Sequence, residues 1–117
     1  MTIQDAYAIT GSNYSDVLGR LVRDSLVEKF ALRFVQDDSF SLLKESLDRG
    51  DCATAFRAAH TLKGVCQNLS FTVLAASASA CTEALRAGDL AGGKELFSQV
   101  ESDYQALIAA LSQVNKG

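Results

Sequence analysis

The chain has 117 residues, 48% of them apolar and 21% charged, with a formal net charge of −3 and a single histidine. That is enough apolar sequence for one core of ordinary size, so one domain spanning residues 1–117 is expected. An acidic balance with no block of lysine or arginine excludes the electrostatic footprint of a nucleic-acid binder or of a protein held on an anionic membrane surface.

No proline interrupts the chain, and alanine, leucine, lysine, glutamine and glutamate recur in place of β-branched alternation. An all-α fold is expected. The opening residues, MTIQDAYAIT, have no basic segment before an apolar run, and no stretch reaches the ~20 apolar residues of a membrane span, so a cytoplasmic protein is predicted. Residues 1–23 are less regular than the rest; Gly11-Ser12-Asn13 separates two short accessory helices that cover one end of the fold. Ser25-Leu26-Val27-Glu28 fits a capping box and predicts a helix over about 25–36. Asp37-Asp38-Ser39 interrupts it and caps the next helix, at 39–49.

Two later junctions echo each other. Arg49-Gly50-Asp51 and Ala87-Gly88-Asp89 both put glycine where a helix ends in the left-handed conformation and aspartate where the next begins. With Asn68-Leu69-Ser70 as a third turn, helices follow at about 51–68, 71–87 and 90–113. Links this short join antiparallel neighbours, so the fold predicted is an antiparallel up-and-down four-helix bundle with short accessory N-terminal helices. Its seam is written in Leu90, Phe97, Tyr104 and Leu111 at one heptad position and Val100, Leu107 and Val114 at the other. Leu74, Ala78, Cys81 and Leu85 repeat the pattern one helix earlier.

Other suggestive strings are explained by structure. Cys52, Cys66 and Cys81 are too widely spaced for a zinc site or a disulfide framework and read as reduced thiols packed like small apolar residues. Asp37-Asp38 lacks the third carboxylate of a metal cage, and Arg49-Gly50-Asp51 is a helix end followed by a helix start. No metal or cofactor is called for. Without a P-loop, another glycine-rich phosphate loop or a Cys/His nucleophile pair, the chain has no means of its own to bind ATP or drive a phosphoryl transfer, and a phosphoryl carrier rather than an enzyme is expected.

The lone histidine lies in AFRAAHTLKGVCQ, residues 55–67. At about 100° per residue, Ala55, Ala59, Leu62, Val65, Cys66 and Leu69 gather on one side of the helix, opposite His60. Lys63, Gly64 and Gln67 follow His60 at three, four and seven residues, on the same outward stripe. Each suits an imidazole that accepts a phosphoryl group. Neutral imidazole is a nucleophile near pH 7 and needs no activating base. Lys63 would place a cation beside the phosphoryl oxygens and Gln67 a hydrogen-bond donor one turn on. Gly64, unfavourable in a helix interior by about 1 kcal/mol relative to alanine, leaves room for another protein to approach. Phe56, one turn before His60, is read as a half-exposed core-edge residue available to that partner.

Ala59-His60-Thr61-Leu62-Lys63-Gly64 resembles the A-H-x-L-K-G signature of histidine-containing phosphotransfer (HPt) domains. The resemblance extends through Tyr14–Leu21 (YSDVLGRL), Phe30, Phe34, Ser39-Phe40, Ala55-Phe56-Arg57-Ala58 and Asn68-Leu69. It implies a four-helix bundle that carries phosphoryl groups between sensor histidine kinases and the aspartate of receiver domains in response regulators or hybrid kinases. His60 would be the phosphoacceptor, Lys63 and Gln67 would stabilise the phosphoryl group, and Gly64, Phe56 and Arg57 would meet the partner. The chain departs from the family at Ser70, where glycine usually ends the active helix, and at Cys81-Thr82, where Leu-Glu is frequent. A monomer is expected. Two other readings stand beside this one: a helical docking module that binds receivers or kinases without carrying phosphate, and an enzyme using His60 as a general base. The second is the weaker, because no carboxylate lies three or four residues from His60 to orient it.

Overall fold

In the computed structural model, which describes residues 1–114, the helices are α1 (Ile3–Ile9), α2 (Tyr14–Leu21), α3 (Asp24–Arg33), α4 (Ser39–Arg49), α5 (Cys52–Asn68), α6 (Thr72–Arg86) and α7 (Leu90–Leu111). The last three positions of the expected 1–117 unit lie outside the described residues. The two Gly-Asp junctions fold as their chemistry dictates. Gly50 (φ +73°) ends α4, and the Asp51 carboxylate accepts the Thr54 N–H at 3.1 Å to start α5. Gly88 (φ +78°) and Asp89 do the same between α6 and α7, with the Gly92 N–H donating at 2.9 Å.

The capping box expected at Ser25 does not form. Helix α3 starts one residue earlier, at Asp24, and its N-cap, Arg23, makes no side-chain bond. The cause is the preceding corner. Val22 sits at φ +71°, and the Arg23 N–H donates to the Leu21 carbonyl at 2.8 Å, a three-residue γ-turn that reverses the chain before Ser25 is reached. Asp24 then puts a carboxylate in the first turn, where the helix dipole favours it, and accepts the Tyr14 hydroxyl. At its other end α3 stops at Arg33, and a 3₁₀ turn over Phe34–Gln36 completes the segment expected to be helical to 36. Asp38 is the N-cap of α4 without a side-chain bond; Asp37 does that work, accepting the Ser39 N–H at 2.9 Å.

The four longer helices close a ring in which α5 packs between α4 and α6, and α7 packs against both α6 and α4. Neighbours run in opposite directions: the Cys52 thiol at the start of α5 donates to the Leu85 carbonyl at the end of α6 (3.7 Å), and the Cys81 thiol, late in α6, to the Gly93 carbonyl, early in α7 (3.5 Å). Inside lie Ala55, Ala58, Ala59, Leu62 and Cys66 of α5, Leu74, Ala78, Cys81 and Leu85 of α6, and Val100, Leu107 and Leu111 of α7, with Val114 closing the end. Leu90, Phe97 and Tyr104, at the other heptad position, are half-buried along the α4 edge, where Tyr104 stacks on Phe40 at 3.9 Å and Phe97 lies 5.4 Å from the same ring. Thr82, at one of the two family departures in α6, is buried, and its hydroxyl is satisfied by the Ala78 carbonyl one turn back at 2.7 Å.

Gly93, the heptad position before Val100, brings the α7 backbone against Leu85 of α6. A Cβ there would lie 2.5 Å from Leu85 Cδ2 and 2.9 Å from its Cγ, and Leu85 is itself buried. Gly93→Ala should therefore destabilise the bundle by about 1–2 kcal/mol in urea unfolding, overpacking outweighing the gain in helix propensity. A gain in stability would show that Leu85 has room to move aside.

Candidate functional site

Helix α5 is two-sided. Ala55, Ala58, Ala59, Leu62 and Cys66 are buried, and burial pushes the Cys66 thiol up to about 12. His60, Gly64 and Gln67 are exposed on the opposite side, and Lys63 is half-buried beside them. The predicted stripe is thus one open face, with Ala58 joining the inner side and Val65 moving to a half-buried flank. No hydrogen bond to the His60 imidazole forms among the described residues. Its neighbour is Phe56, half-buried, whose ring lies 5.9 Å away at an interplanar angle of 19°. A Cβ added at Gly64 would meet nothing within 4 Å. Arg57 is exposed one turn before His60 and turns toward α4. Its guanidinium donates to Thr54 Oγ1 at 3.2 Å, and with Asp38, Leu42 and Thr61 it lines a recess on the α4 flank.

The end of α5 is fastened in a way that no sequence motif announced. Ser70 is buried and sits at φ +56°, the left-handed conformation for which the family's glycine is suited. Its hydroxyl donates to Asp16 at 2.6 Å and accepts from Arg20. Arg20 also donates to the Asn68 carbonyl at 3.2 and 2.8 Å and to the Gln67 carbonyl at 3.1 Å, and pairs with Asp16 at 3.0 Å. One guanidinium therefore satisfies two carbonyls left open at the helix end and opposes the negative end of its dipole. The i, i+4 spacing of Asp16 and Arg20 was the available signal, but it carries no hint of a partner 50 residues on.

Sequence reasoning also missed a groove of about 490 Å³ beside the same end of α5. Leu21, Phe30, Phe34, Val65 and Leu69 form its apolar walls, with Arg20 and Arg33 at the sides. No helix among the described residues is long and apolar enough to cross a membrane.

The central helix of the bundle thus exposes one histidine and a bare glycine opposite a buried alanine face. The chain matches the family model described as Hpt domain over residues 35–111, more than half its length, and belongs to that family. The match takes in α4–α7 and His60, while α1–α3 precede it. Hpt domains mediate histidine phosphotransfer in phosphorelays as phosphocarrier modules rather than kinases, and interact with kinases and receiver domains of two-component systems. No curated protein and no solved structure matches the chain.

The fastening of α5 should be acid-sensitive. The Ser70 hydroxyl, and after it the Arg20 guanidinium, hold the Asp16 carboxyl below its ordinary value of 3.8. A lowered folded-state value means that this contribution is present above the unfolded value and is lost as pH falls through the folded one. The stability gap between wild type and Ser70→Ala in urea should be widest near neutrality and narrow below about pH 4. A gap that stays constant into acid would show that the carboxylate takes no part.

Proposed function

We propose that His60 is the phosphoacceptor of this domain, taking a phosphoryl group from a donor and yielding it to, or receiving it from, an aspartate of a receiver domain. The observation that carries the reading is the exposed imidazole, without a hydrogen bond among the described residues, and an open Gly64 one turn away. In the step from a receiver, a nitrogen lone pair of neutral His60 attacks phosphorus in line, the N–P bond forms as the acyl phosphate P–O bond breaks, and the aspartate leaves as a carboxylate. The reverse step regenerates the neutral imidazole. Lys63 sets a cation beside the phosphoryl oxygens once the partner's surface excludes water, and Gln67 offers its amide N–H from the next turn. Gly64, Phe56 and Arg57 meet the partner, Arg57 from the α4 flank. The donor and acceptor bring the catalysis. The same reading has residues 1–117 working as one cytoplasmic, monomeric unit.

Mixing the protein with a phosphorylated receiver and testing for acid-labile, alkali-stable phosphate on it is the direct experiment. His60→Gln should abolish that phosphate while changing stability by no more than about ±0.5 kcal/mol, the range of an exposed position. A receiver that binds without any transfer would leave the docking module as the better reading.

Lys63→Ala should slow transfer by about 10-fold at saturating receiver, the scale of one partly solvated electrostatic contact. An unchanged rate would return Lys63 to an ordinary solvated lysine. Gly64→Gln separates access from chemistry: it should cut transfer from a receiver sharply yet spare phosphorylation by phosphoramidate, which needs no docking surface. Full activity with both donors would sink the role given to Gly64.

A further inference from the structure

The Phe56 ring that runs nearly parallel to the His60 imidazole has a second neighbour. Arg86, at the end of α6, places its guanidinium carbon 4.9 Å from the Phe56 centroid. Its Nε lies 3.3 Å from Glu83 Oε2, one turn back on the same helix. A cation over an aromatic face is drawn by the ring quadrupole, and a planar guanidinium adds flat contact that an ammonium lacks. Glu83 holds the guanidinium by its edge. The Phe56 ring therefore links two planar groups from two helices, lying 4.9 Å from the Arg86 guanidinium carbon and 5.9 Å from the imidazole of the only histidine in the chain.

The lone pair of a neutral imidazole lies in the ring plane, so whatever fixes that plane aims the nucleophile. Histidine χ2 is broad by itself, and His60 has no hydrogen bond among the described residues to narrow it. Stacking does so without obstruction. The phenyl ring lies nearly parallel to the imidazole with its centroid 5.9 Å away, takes no hydrogen bond from it, and so leaves the nitrogens free to meet an approaching phosphorus atom. A hydrogen bond from a neighbouring side chain would hold the ring only by occupying one of those nitrogens. Narrowing the orientations of an attacking group before it meets its partner is a direct contribution to rate.

We propose that Arg86 is a positioning residue for phosphoryl transfer, holding Phe56 in place while Phe56 holds the plane of the His60 imidazole. This rests on His60 being the phosphoacceptor.

The test uses the full chain with phosphoramidate as donor, so that partner docking does not enter the rate, together with NMR of the imidazole carbon-bound protons, which the ring current of a stacked phenyl displaces. Arg86→Ala should move those resonances toward the positions of an unstacked histidine and slow phosphorylation by about 2- to 5-fold. Arg86→Lys should recover part of both effects, and Phe56→Leu should produce them without touching Arg86. A rise in unfolding midpoint or a simple loss of stability accounts for neither the resonance shift nor the partial recovery by lysine. Phosphate on the wild type with an unchanged rate, or unchanged resonances, in Arg86→Ala overturns the positioning role and leaves His60 as acceptor. A wild type that takes no phosphate overturns the acceptor reading itself.

Discussion

Close approach of α5 to its neighbours depends on the small residues of its inner face. Ala55, Ala58 and Ala59 are buried with Leu62 and Cys66, and bulkier side chains at the three alanines would push α5 away from α4 and α6. Because that face packs so tightly, the helix does not need its other side for stability. It can carry Gly64, unfavourable there by about 1 kcal/mol, and leave His60 without a hydrogen bond among the described residues. Gly93 extends the logic to α7, whose backbone comes against Leu85. The charges at the ends of α5 match its dipole, Asp51 at the start and Arg20 at the close. His60 stands more than a turn from either end, so its surroundings are set by neighbours on the face and hardly by the dipole.

The accessory helices are bound to this bundle through aromatic contacts. Phe97 and Tyr104 of α7 pack on Phe40 of α4; Tyr104 also meets Phe34 in the 3₁₀ turn; Phe34 meets Phe71, Phe71 meets Tyr7 of α1, and Tyr7 meets Tyr14 of α2. Tyr7 is buried, and its hydroxyl donates to the Leu69 carbonyl at 2.7 Å, beside the turn that Arg20 and Ser70 fasten. Helices α1 and α2 thus do more than cover an end. They reach the last turn of the helix that carries the histidine.

What could be read from the sequence is what local chemistry decides. The Gly-Asp turns were legible because a left-handed glycine and an aspartate cap act within four residues of each other. The exposed stripe of α5 was legible because a helical period suffices to place it. Ser25 misled because its capping box competed with a γ-turn at Val22 and a tertiary bond from Tyr14 to Asp24, neither of which the four residues of the motif contain. Ser70 looked like a mere departure from glycine, since its hydroxyl finds Asp16 and Arg20 only after the chain has folded back. Phe56 was placed correctly at the edge of the core, but the guanidinium over it comes from α6, at a register that periodicity within α5 cannot supply.

The openness around His60 also limits what the domain can say about itself. A phosphoryl group there would displace no buried atom and break no hydrogen bond, because the imidazole makes none among the described residues and the neighbouring Gly64 leaves empty space. A modification that interacts equally with every conformation of a protein shifts none of them. In the proposed role the bundle would then keep one shape whether loaded or empty. Its message would reside wholly in a covalent bond on one turn of helix, readable only by a molecule that touches that turn.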